Sequence, residues 1–137
     1  VHSVDRVKIA QRLNDQRPSH LAPLNICIQI NIDDEATKSG FSAEQALPAA
    51  LEIMALPNLN LRGLMAIPAA RQNTEAQRLP FAQLRLLLKD INRSLDNSEK
   101  LDTLSMGMSA DLEAAILEQA TIVRVGTDIF GLRSTKQ

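Results

Sequence analysis

Four stretches of this chain, residues 24–32, 61–67, 101–106 and 121–126, have the alternation or short apolar run of a β-strand. Each is followed by a loop and a helical or turn-forming stretch. A polypeptide built this way must cross back between neighbouring strands. Its strands therefore run parallel and its helices cover them. Two α/β architectures satisfy that rule: an open doubly wound sheet, or part of a (β/α)8 barrel. A complete barrel takes roughly 250 residues. This chain has 137, so the barrel reading makes it about the second half of one, a single unit over residues 1–137.

The strongest strand signal is LNICIQINI at 24–32, where Leu24, Ile26, Ile28, Ile30 and Ile32 alternate with Asn25, Cys27, Gln29 and Asn31. Ahead of it, Val4, Val7, Ala10 and Leu13 fall near one helical face, and the first residues read as the end of a strand with sequence missing before them. After the polar loop DDEATKSG, Ser42 and Gln45 have capping-box spacing. Pro48 conflicts with a helix already under way, so the expected helix starts near Pro48 and shows Leu47, Leu51 and Met54 on one side. Thr74 and Gln77 repeat the capping spacing before a helix to about Leu95, which Pro80 should kink or delay. Residues 110–120 form the next helix, with Leu112, Ala115 and Ile116 on one face, and TDIF at 127–130 is a turn or short helix.

Charge narrows the function. Fifteen basic and sixteen acidic side chains give a formal net charge of −1. Nucleic acid and anionic membranes need a basic surface, so neither is expected as a partner. No apolar run approaches the ~20 residues of a membrane span. One cysteine, Cys27, cannot form an internal disulfide, which points to a reducing, cytoplasmic setting. His2 and His20 lack metal-ligand spacing, so no metal site is expected.

In parallel sheets, ligands bind at the carboxyl ends of the strands. The residues there include Asn31, Met65, Ser109, Arg124, Gly126 and Thr127. Two strand ends, GMS and RVGT, run straight into helix starts, where free N–H groups face outward. Small residues admit an anion to those groups, and Ser109 and Thr127 add hydroxyls. The competing reading is structural: Ser109 caps its helix and Gly126 eases a turn. Arg124 either contacts a ligand carboxylate or ring nitrogen, or pairs with a loop acid. Asn31 either meets a ligand or belongs to a polar layer inside a barrel.

The segments VHSVDR, IQINI, TKSGF, LRGLMAIP, LSMGMSADLEAAI and VRVGTDIFG occur in that order, and together they resemble the pyridoxal phosphate homeostasis protein family. That family is similar in fold to the barrel of alanine racemase. The resemblance implies a barrel holding pyridoxal 5′-phosphate (PLP) and a role in vitamin B6 and amino-acid homeostasis as a carrier or regulator rather than an enzyme. Ser109 and the Gly126–Thr127 backbone would hold the phosphate. Arg124 would face the pyridine nitrogen, and Asn31 and Met65 would line the pocket. The family's Schiff-base lysine belongs to a first strand. Lys8, Lys38, Lys89, Lys100 and Lys136 end no expected strand, so that lysine is expected outside this chain. The complete protein is then a monomer, whereas the isolated fragment, with open strand edges, should associate. A PLP-dependent racemase or lyase of the same fold is the alternative, although this sequence has no Tyr to serve as its base.

Overall fold

A computed structural model describes residues 1–135. Strands β1 (Leu24–Gln29), β2 (Leu59–Met65), β3 (Thr103–Met108) and β4 (Ile122–Arg124) form one sheet in sequence order, every pair parallel. Helices α1 (Val7–Gln16), α2 (Ala43–Met54), α3 (Thr74–Arg93), α4 (Leu112–Leu117) and α5 (Thr127–Phe130) alternate with the strands. Ahead of α1, Val4 bridges Ile28 in parallel, and the Cys27 and Gln29 N–H groups donate to the Val1 and Val4 carbonyls. The first residues thus extend the sheet beyond β1. Val4 belongs to that extension and not to the helical face expected of it; α1 begins at Val7.

The core lies between the sheet and its helices. Ile26, Ile28 and Ile30 of the first strand region, Leu61 and Leu64 of β2, and Leu104 and Met106 of β3 pack with Ala46, Ala50 and Ile53 of α2 and Phe81, Leu84 and Ile91 of α3. Alternation sends Cys27, Gln29, Met65, Thr103 and Ser105 to the opposite, concave face. At Gly63 the strands approach so closely that a Cβ would lie 1.8 Å from the Thr103 carbonyl oxygen. Behind the sheet, α3 and α4 are tied by Arg78 and Arg85, both bonded to the buried Glu118 carboxylate at 2.8 and 3.0 Å. Burial pushes that carboxyl upward, but the two guanidinium groups outweigh it and hold the group below its usual range.

Two helix starts differ from the sequence expectation. Helix α2 begins at Ala43 and runs through Pro48. The missing Pro48 N–H deprives only the Glu44 carbonyl, in an exposed first turn, while the Ser42–Gln45 capping box closes in both directions. Helix α3 likewise starts on time and continues through Pro80, and its cap is Asn73, whose side chain accepts the Ala76 N–H at 2.8 Å. Gln77, expected to complete that cap, instead donates to the Arg71 and Ala110 carbonyls. The helices after β3 and β4 are short, with six and four residues. Their macrodipoles are correspondingly small, and any anion they hold must be held by individual N–H and hydroxyl groups.

Candidate functional site

The carboxyl ends of β3 and β4 enclose a cleft of about 680 Å³ lined by Met108, Ser109, Ala110, Arg124, Val125, Gly126, Thr127, Asp128, Phe130, Gly131 and Arg133. Four residues singled out from the sequence, Ser109, Arg124, Gly126 and Thr127, meet here. The Ser109 hydroxyl accepts the Asp128 N–H at 3.2 Å, which joins the β3 end to the first turn of α5. It does not cap α4. That turn is held by Asp111, whose carboxylate accepts the Met108 N–H at 2.8 Å. The N–H groups of Ser109, Ala110, Gly126 and Thr127 make no backbone hydrogen bond among the described residues. Four free donors and two hydroxyls thus border one opening.

The two glycines at these strand ends do different work. Gly107 has φ +98°, and a Cβ there would lie 2.6 Å from the Ala115 Cβ. Its smallness lets α4 pack against β3 and does not admit an anion. Gly126 has φ −122°, and a Cβ there would meet nothing within 4 Å. The space beside it is the cleft itself.

Arg124 crosses from β4 over the concave face. Its guanidinium donates to the Ser105 hydroxyl at 2.7 Å and to the Ala66 carbonyl at 3.1 Å. No carboxylate lies within ion-pair distance of it among the described residues. Burial lowers its pKa, with Asp111 acting in the opposite direction. Ser105 is fully buried, and its oxygen lies 2.8 Å from His2 Nδ1. Burial lowers the His2 pKa, and the Val1 amino group and Arg124 lower it further.

Asn31 and Met65 do not line this cleft. Asn31 is committed to the loop after β1: its amide donates to the Glu35 carbonyl at 2.7 Å and the Lys38 carbonyl at 3.4 Å, and its oxygen accepts the Glu35 N–H. Met65 is 3% exposed and sits in register between Gln29 and Ser105, as part of the packed concave face. Beside them, Asp33 bonds Arg71 at 2.6 Å and accepts the Ala69 N–H. Desolvation works to raise the Asp33 carboxyl, but these two donors hold it below its ordinary value. Among the lysines, Lys38 pairs with Glu35 at 3.5 Å, and Lys136 lies outside the described residues. Arg133 borders the cleft from the segment after α5.

Comparison with known proteins gives this arrangement a family setting. The alanine racemase N-terminal domain family matches residues 1–134. The pyridoxal phosphate homeostasis protein of Pseudomonas aeruginosa is 59% identical over 134 residues, covering 97% of this chain and 55% of that protein. The Escherichia coli K12 protein of the same name is 47% identical, covering 96% and 55%. The chain spans about half the length of the curated relatives it matches. PipY of Synechococcus elongatus, solved with PLP bound, superposes with a TM-score of 0.81 at 29% identity, over 95% of this chain and 59% of that one. Alanine racemase of Clostridium difficile superposes at 0.70 with 17% identity, over 98% and 36%, a likeness of fold. The four parallel strands and their helices are therefore part of an alanine-racemase-type α/β barrel.

Proposed function

The chain belongs to the alanine racemase N-terminal domain family, and on that premise we propose that it carries the phosphate-facing and ring-facing parts of a PLP site. The observation that carries this reading is the opening at the ends of β3 and β4: free N–H groups from two successive strand ends, two hydroxyls, and empty space where Gly126 lacks a Cβ. A phosphate dianion needs several converging donors and close backbone approach, and this opening offers both. Ser109, Gly126 and Thr127 hold the phosphate, and Arg133 adds positive charge at the rim. Asn31 and Met65 support the neighbouring wall at one remove, through the loop and the packed concave face.

PLP supplies a reactive aldehyde and a ring that can withdraw electrons. Arg124, fixed by Ser105 and Ala66, presents a permanent cation to the ring nitrogen and so opposes a proton there. That weakens the ring as an electron sink and favours holding the cofactor over turning substrate over. The complete protein, of which this chain is the C-terminal part of the barrel, then acts in PLP homeostasis as a cytoplasmic monomer. Its Schiff-base lysine lies outside the chain. The names of the relatives and PLP-bound PipY support the PLP-binding and homeostasis parts of this reading.

Titration of PLP into the full-length protein, followed by absorbance and equilibrium dialysis, tests it. Removing a donor to a charged group should weaken binding by about 10- to 100-fold, so Ser109→Ala and Thr127→Val should each show such a loss. Unchanged affinity in both would overturn the assignment.

A further inference from the structure

The concave face carries a chain of three polar side chains from three different strand regions. Arg124 of β4 donates to Ser105 of β3 at 2.7 Å, and Ser105 meets His2, from the extension beyond β1, at 2.8 Å. The last contact joins residues 103 positions apart. Proton counting settles its direction. A guanidinium only donates, so the Ser105 oxygen accepts from Arg124. The Ser105 hydroxyl hydrogen must then find an acceptor, because the side chain is fully buried. Among its side-chain contacts, His2 Nδ1 alone can accept. That assignment leaves the imidazole neutral, with its proton on Nε2.

Resting on the PLP reading above, we propose that His2 is a positioning residue of this site: as the neutral Nε2–H tautomer it takes the Ser105 hydroxyl proton and so commits the Ser105 oxygen to Arg124. Protonating His2 would turn Nδ1 into a donor. The Ser105 oxygen would then face two cationic donors while its own hydrogen had no acceptor. Arg124 would keep the Ala66 carbonyl and lose its second anchor. The groups facing His2 are the Val1 amino group on its own segment, Arg124 of β4, and Cys27 of β1 and Arg62 of β2, which share a cavity of about 200 Å³ with it. Arg62 is neutralised by Asp102, the residue just ahead of β3. Wherever Val1 is acylated by a preceding residue, burial and Arg124 remain to oppose the imidazolium.

The first test needs no cofactor. In the full-length apo-protein with ¹⁵N-labelled histidine, His2 should show the Nε2–H tautomer and titrate below 6.5, and Arg124→Gln should raise that midpoint. An Nδ1–H tautomer would overturn the proposal. The second test reads bound PLP. His2→Ala should weaken binding by about two- to tenfold and shift the absorbance band. His2→Asn, whose Oδ1 can stand near the Nδ1 position, should restore both. Wild-type affinity should fall on acidification through the His2 midpoint, beyond the fall His2→Asn shows, since both share the titration of the PLP phosphate itself. His2→Ala with wild-type affinity, spectrum and pH profile would overturn the proposal. If the full-length protein binds no PLP, the functional reading fails by itself and the tautomer still decides the role of His2.

Discussion

The two sides of the sheet's carboxyl end use similar polar residues to opposite ends. Over β1 and β2, Asn31 spends its amide on the Glu35 and Lys38 carbonyls, Asp33 spends its carboxylate on Arg71 and Ala69, and Gln77 closes onto Arg71. Over β3 and β4, four backbone N–H groups remain free beside Ser109, Thr127 and Arg133. Residue type does not separate the two sides. What separates them is whether the fold has already consumed each group's hydrogen-bonding capacity. Binding falls to the side where it has not.

Alanine substitution tests that division most severely at the glycines. Gly63→Ala drives a Cβ into the Thr103 carbonyl, and should cost at least about 3 kcal/mol. Thermal unfolding should show a collapsed midpoint, or the protein should not accumulate. Gly126→Ala adds the same methyl where nothing lies within 4 Å. Its stability should stay within about 0.5 kcal/mol of the parent, while PLP affinity falls roughly tenfold because the methyl occupies ligand space. If Gly126→Ala bound PLP normally, the open side would not be the binding side.

Asp33→Asn removes the ion pair with Arg71 and keeps an acceptor for the Ala69 N–H. It should cost about 1 kcal/mol at neutral pH and leave PLP affinity unchanged. The folded-state pKa of Asp33 is depressed, so its contribution is fully present above the ordinary value of 3.8 and is lost as pH falls through the lower folded value. Acid unfolding should therefore separate parent from variant at neutral pH and bring them together toward strong acid. An Asp33→Asn protein that lost PLP as Ser109→Ala does would erase the distinction between consumed and free groups.

The strand–helix rhythm was legible because period-two alternation, as in residues 24–32, depends only on which face is buried. The positions of Ser109, Gly126 and Thr127 were legible for a related reason: a parallel sheet presents its strand ends together. Pro48 misleads because its missing N–H matters only through the carbonyl it fails to meet, and that carbonyl lies in an exposed turn. The fate of Asn31 was hidden because its partners are backbone atoms of a loop whose path no periodicity specifies. Ser109 presented a capping signature, yet its hydroxyl serves the next strand's turn. His2 and Ser105 carry no local signal of each other. Only the curvature of the finished sheet brings them to 2.8 Å.

The close approach at Gly63 acts like a detent in a sliding mechanism. Slipping β2 along β3 by one residue would present Arg62 or Leu64 to the Thr103 carbonyl, and neither side chain fits where a single methyl does not. The notch therefore indexes depth. It sets Met65 opposite Ser105, and Ser105 in turn fixes how far Arg124 reaches into the opening. The height at which a ligand ring would sit is thus gauged two strands away, by a residue that touches no ligand.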